Sequence, residues 1–374
     1  MKKRFVEYAL FLALVGCTAN PSMEKMSGLK IDDLSVKSQN MLTFPCTAPY
    51  ENGFFYVSEN YSALEFAENC EKKVHVAEMT INDDLPSSEK NHFERYTDLM
   101  TPSKFYVNNQ RIWFVSMYQS IDGQSSFKLH SMAINGEDRK VEMDFPYQPI
   151  QFIVHRNTII CVEYGAESTS ILHVYDNHLK EIHTTTENGP ISSLFADGNE
   201  VYYIMQDNND YRYRIRRYSL DSKECNLVKE LEVGGLGFES NGRLAYYTLS
   251  QQFLMDTDPM DITVTSVIEN MTDNKILFSV TDEFIGHFDD EFIYTSTIKE
   301  KHVEYKIYDW NGDLKQTIVP SASISDDYVC HDSWVNQDFS QIVNVINGNI
   351  IAYSTTPYAY VSCEVESGKC KVLQ

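Results

Sequence analysis

Basic side chains are scarce in this sequence: 31 Lys and Arg stand against 54 Asp and Glu, a formal charge of −23. Nucleic-acid binding needs Lys and Arg clustered on one face, so that class is excluded, and so is adsorption to anionic lipid through charge. The eight cysteines include no C-x-x-C pair and match no zinc spacing. There is no G-x-S-x-G elbow and no phosphate-binding glycine loop. The S-x-D-x-G-x-x-W turn of sialidase-type propellers is also missing; His331-Asp332-Ser333-Trp334 has its letters in another order. Beyond residue 45 a helical period is nearly absent, and a second long apolar run is absent altogether.

The single strongly apolar run lies at the start. Met1-Lys2-Lys3-Arg4 is a basic n-region, and Tyr8 to Gly16 form a short apolar core. Nine residues are too few to cross a bilayer, which takes roughly 20 in a helix. The layout is that of a secretory signal peptide. Leu14-Val15-Gly16-Cys17 resembles the bacterial lipobox, in which cleavage leaves the cysteine as a lipid-bearing N-terminus. Residues 1–16 then read as a cleaved signal, Cys17 as the lipid attachment site and 17–44 as a polar tether. Cleavage removes Lys2, Lys3, Arg4 and Glu7 and takes the formal charge from −23 to −25. The expected location is the cell envelope, membrane-anchored and extracytoplasmic, on the outer membrane in a Gram-negative cell.

From 45 to 374 the chain repeats itself. Short runs rich in Ile, Val, Tyr, Phe and Thr alternate with turns, and Asn-Gly, a strong hairpin signal, occurs at Asn52, Asn135, Asn188, Asn241, Asn311 and Asn347. One strand type recurs with its first apolar residue at Phe54, Ile112, Ile159, Val201, Leu244, Phe292 and Ile350. Around each lie three further strand-like runs, as in PIQFIV, TIICVEY, SILHVYD and KEIHTTT from 149 to 186. Four antiparallel strands every forty-odd residues predict an all-β fold, a β-propeller of four-stranded blades. Seven blades are favoured; six is the alternative, should the first unit only complete the last blade. LPSSEKNHFERYTDLM, 85–100, reads as an inserted surface helix.

The lipobox, the acidic mature chain and units such as KIYDWNGDLKQTIV resemble bacterial propeller lipoproteins, the TolB-like six- or seven-bladed group common among gut Bacteroidetes. Ile307 to Leu314 is similar to their third-to-fourth-strand hairpin. The resemblance implies a fold and a location and carries no catalytic signature.

Chemistry is sparse. Asp256 to Asp261 opens like a calcium loop but lacks the glycine and glutamate that an EF-hand needs; Asp207 to Tyr211 is an acidic inter-strand turn. His173, His178 and His183 fall five apart, which puts His178 in a turn and the other two on different strands, so no metal site is expected. Cys161 reads as a buried thiol. Cys363 and Cys370 flank a hairpin loop. A four-residue loop makes them opposite partners and a possible disulfide; a three-residue loop pairs Cys363 with Lys371 instead. No cofactor is expected. The reading is a ligand-binding or protein-interaction module that takes a protein, peptide or glycan on one propeller face. The alternatives are a carbohydrate-active hydrolase or lyase with carboxylates in the channel, and a structural component of an envelope complex.

Overall fold

A computed structural model describes residues 47–57, 63–78, 93–98, 105–108, 110–120, 125–156, 158–231, 235–240, 244–253, 262–271, 273, 275–299, 302–321, 341–355 and 358–373. The signal, Cys17, the tether, the 256–261 loop and His331 to Ser333 lie outside them.

Each repeat folds on itself because adjacent strands are joined by short turns, which favour antiparallel neighbours. Six sheets have four strands in chain order. A seventh, second along the chain, has five because its first strand is in two pieces. Phe93–Asp98 and Tyr106–Asn108 both pair with the ten-residue Arg111–Ser120, one at each end. The expected helix over 85–100 is therefore corrected. Its described part, Phe93–Asp98, is a strand, because the long neighbour leaves an unpaired edge beyond Tyr106 and an aromatic, β-branched segment completes it.

The sheets, numbered here as blades 1 to 7 in chain order, close a ring. The first strand of each blade packs on the preceding blade, and Thr47–Tyr50 of blade 1 packs on Gln341–Ile346 of blade 7. Counted as plain four-stranded sheets there are six, and the split-stranded sheet is the further member. The first and last units exchange no strand; each forms its own blade.

Burial follows strand order. Where their side chains are described, the second strands are apolar on both faces and buried, as in Gly53–Val57 and Glu200–Gln206. The seven recurring apolar residues of the sequence all fall on them. Fourth strands such as Glu181–Glu187 and Cys225–Leu231 alternate and face solvent. Between blades the core divides into clusters, for example Tyr305, Ile307, Ile342 and Val361 between blades 6 and 7. Two glycines serve this packing. A Cβ on Gly286 would lie 2.5 Å from the Ile342 Cβ, so the inner strands of blades 6 and 7 can approach closely. Gly189 has φ +154°, and a Cβ there would lie 1.7 Å from the Gln206 carbonyl oxygen. Asn188-Gly189 is thus a junction between blades 3 and 4, not a hairpin. Among the described residues no helix is long and apolar enough to cross a membrane.

Candidate functional site

Three blades share a motif that the strand register reveals. On the third strands a base is followed two residues later by tyrosine: His173 and Tyr175 in blade 3, Arg216 and Tyr218 in blade 4, Lys306 and Tyr308 in blade 6. The tyrosines pair across to Ile159, Val201 and Ile293; the bases pair to Cys161, Tyr203 and Thr295. A period of two puts base and tyrosine on one face of the sheet.

In blades 4 and 6 the base reaches an acid at the junction leading into its own blade. Glu187 receives the Tyr203 hydroxyl at 2.5 Å and pairs with Arg216 at 3.0 Å. Glu283 receives Thr295 Oγ1 and Lys306 Nζ, both at 2.5 Å, and Tyr308 Oη at 2.9 Å. Both carboxylates are buried. Each network ties the third strand to the start of the blade, and its charges are paired as burial requires. Burial, with the adjoining carboxylate second, pushes the Tyr203 and Tyr308 phenols well above their ordinary range.

Blade 3 departs from this plan. Tyr147 stands at the junction where blades 4 and 6 have glutamate. Its hydroxyl lies 2.7 Å from that of Tyr175, and its ring stacks on His173 at 4.3 Å. Burial raises Tyr147 strongly and holds Tyr175 up at about 12. An imidazole is shorter than an arginine or lysine side chain, and its nitrogens turn along the blade. Nδ1 is 2.5 Å from Glu181 Oε1 on the fourth strand, and Nε2 is 3.0 Å from Glu163 Oε2 on the second. Where a long base would extend there is instead an open cleft of about 490 Å³. Met143 and Asp144 of blade 2 form one wall; Tyr147, Glu163, Tyr175 and Glu181 form the rest, with His173 at the base. The cleft offers three carboxylates and apolar ring surface. Cys161, fully buried beneath it, is held as a thiol by burial and is no nucleophile.

Sequence reasoning missed this site. It weighed His173 only against His178 and His183, and the structure separates the three. His178 sits in a turn, and the His183 ring stacks on Tyr218 of blade 4 at 4.8 Å. The signal was the base-x-Tyr recurrence in HVY, RRY and KIY, with its junction acid replaced in blade 3. Among the described residues no three His, Cys, Asp or Glu side chains gather as a metal site would need. The Asp207–Tyr211 turn is occupied by the chain itself: Asp207 and Asp210 hold Arg214 at 2.5 and 2.6 Å. Cys363 and Cys370 stand in register across the last hairpin, Cα atoms 4.0 Å apart, with their sulfurs joined. The loop has four residues, with Gly368 left-handed at φ +69°.

No family model and no curated protein matches the chain. Solved structures match in fold. An acylaminoacyl peptidase in complex with Z-Gly-Gly-Phe-chloromethyl ketone has a TM-score of 0.51 at 10% identity, covering 92% of this chain and 54% of that one, so the chain spans about half its length. An uncharacterized protein of Listeria monocytogenes EGD-e has a TM-score of 0.49 at 6% identity, with 74% and 84% covered. The WD40 domain of Neurospora crassa Pan2 has a TM-score of 0.44 at 11% identity, with 72% and 77% covered. At such identities the likeness is one of fold: the chain is a β-propeller.

Proposed function

We propose that this β-propeller is an interaction module hung from the bacterial cell envelope, a lipoprotein of the TolB-like kind, binding its partner through the cleft between blades 2 and 3. Residues 1–16 are its signal, Cys17 its lipid-bearing N-terminus, 17–44 its tether and 45–374 its propeller. The observation that carries the binding role is the cleft itself: a cavity lined by carboxylates and apolar ring surface in blade 3, where His173 takes the long base's place and Tyr147 the junction acid's. A rigid ring holds such a cavity open without a partner, which keeps the ordering cost of binding low. The location rests on Leu14 to Cys17, placed directly after the apolar run.

The test is metabolic labelling with palmitate and fractionation of wild type and Cys17→Ser. Wild type is expected to take the label and follow membranes, and the variant to lose both. An unlabelled wild type in the soluble fraction would overturn the anchored reading.

A further inference from the structure

We infer that the cleft between blades 2 and 3 binds an organic cation, a protonated amine or guanidinium on an aliphatic stem, of the kind a lysine or arginine side chain presents. The inference rests on the cleft being a binding site, and it names the ligand chemistry.

The cavity comes first. At about 490 Å³ it has the size of a small-ligand pocket and far exceeds a single water. It opens beside His173, which stands where blades 4 and 6 carry arginine or lysine, and beside Tyr147, which stands where those blades carry the junction glutamate. The ring thus holds its own precedent for the ligand. Arg216 and Lys306 show a cation seated among a carboxylate and hydroxyls at the equivalent positions.

The charges agree. Glu163, Glu181 and Asp144 line the cleft, with side chains 25%, 45% and 74% exposed. Glu163 and Glu181 each spend one oxygen on His173, and Asp144 spends one on Lys128 at 3.3 Å. The second oxygen of each makes no hydrogen bond among the described residues. Three acceptors therefore remain against one imidazole and one rim ammonium, a balance that repels anions and attracts cations. Met143 and Pro146 supply apolar surface for a stem, and the Tyr147 ring, stacked on His173, adds to it. An acid ligand meets like charge, and a neutral one leaves the carboxylates as they were.

The test is calorimetric titration of the full-length chain with N-acetyl-lysine methylamide, its neutral norleucine analogue, and spermidine. The lysine probe is expected to bind saturably, at least tenfold tighter than norleucine, and to weaken as salt is raised. Glu163→Gln with Glu181→Gln is expected to weaken it tenfold or more. His173→Arg restores the long base, fills the cleft from within and should abolish binding with the far-ultraviolet spectrum unchanged. Should the double glutamine variant not fold, Glu181→Gln alone serves, since that side chain is half in water. Tighter lysine peptide than spermidine assigns the cation to a protein partner; the reverse assigns a free polyamine. Norleucine binding as well as lysine overturns the cation and leaves the cleft as a site. No binding of any probe overturns both, whereas retained binding in the double variant overturns the carboxylates' role.

Discussion

At the scale of single residues, buried charge is what most sharply separates this ring's blades. Glu283 and Lys306 are 7% and 14% exposed and meet at 2.5 Å. Removing one partner strands the other in a poor solvent, whereas replacing both by apolar groups does not. Glu283→Ala is therefore expected to cost about 3 kcal/mol in urea unfolding, and Glu283→Leu with Lys306→Met to recover most of it. A single variant as stable as wild type would show that the pair is not buried as described. His130 takes the base's place in blade 2 and solves the problem differently. It stacks on Phe114 at 5.2 Å, and Arg139 Nε donates to its Nδ1 at 3.4 Å. Burial first, then Arg139 and Lys128, lowers its pKa from 6.5 to about 3. Below pH 6.5 the unfolded chain gains a proton there that the fold refuses. The stability held above 6.5 is thus lost as pH falls toward 3, by up to about 1.4 kcal/mol per unit. His130→Leu removes this share of the acid limb. Between pH 7 and 5 its urea stability should fall about 2 kcal/mol less than that of wild type. Equal slopes would mean that His130 is charged in the fold.

At the scale of elements, the last hairpin is the segment with most to lose, since Cys370–Leu373 is the outer strand of its blade. The bond between Cys363 and Cys370 closes a loop seven residues apart in sequence, and restricting so short a loop in the unfolded chain contributes about 2.5 kcal/mol. Reduction, or Cys370→Ser, should lower the unfolding free energy measured in urea by that amount, while intact-mass measurement of the native chain shows two thiols fewer than the reduced one. Native protein with both thiols free would remove the bond from the account. The second strands were the most legible elements of the sequence, because a run apolar on both faces has few other homes in an all-β chain. The split first strand of blade 2 was illegible. Glu94-Arg95 and the charges before it read as a helix surface, and only the length of Arg111–Ser120, a tertiary fact, leaves an edge for Phe93–Asp98 to fill. The cleft was illegible for a related reason. His173, Glu163 and Glu181 lie on three strands, and their meeting depends on the register, which no local pattern states. The base-x-Tyr recurrence was visible, but its meaning lies in the junction acids, Glu187 and Glu283, which sit 16 and 12 residues before their hydroxyl partners.

At the scale of the whole molecule, the ring has to be closed somewhere, and the place is the seam between blades 7 and 1. No strand crosses it, so side chains hold it. Phe54 and Tyr56 of blade 1 meet Tyr360 of blade 7 at 6.4 and 4.8 Å, the second pair edge to face, within a cluster that includes Ala67, Cys70, Val343 and Leu373. The rim adds Lys371 to Glu71 at 2.6 Å and the Asn347 amide donating to the Glu51 carbonyl at 3.1 Å. Exposed contacts of that kind contribute little, so the aromatic cluster carries the closure. Tyr360 is fully buried. Tyr360→Ala removes about 3–5 kcal/mol by the ordinary cost of a large core truncation. Its position gives it a second consequence that the same change elsewhere in the ring lacks. Blades inside the ring have a neighbour on both sides in sequence and space; blades 1 and 7 have one chain neighbour each and depend on the seam for the other. Opening it exposes Gly53–Val57 and Asn349–Thr355 together, although almost 300 residues separate them. Amide exchange followed by mass spectrometry should therefore show blades 1 and 7 losing protection at the same rate in Tyr360→Ala, with blades 3 and 4 protected. Tyr203→Ala, an equally buried change in blade 4, should spare blades 1 and 7. Protection lost in blade 7 alone would mean that blade 1 is held by something other than the seam.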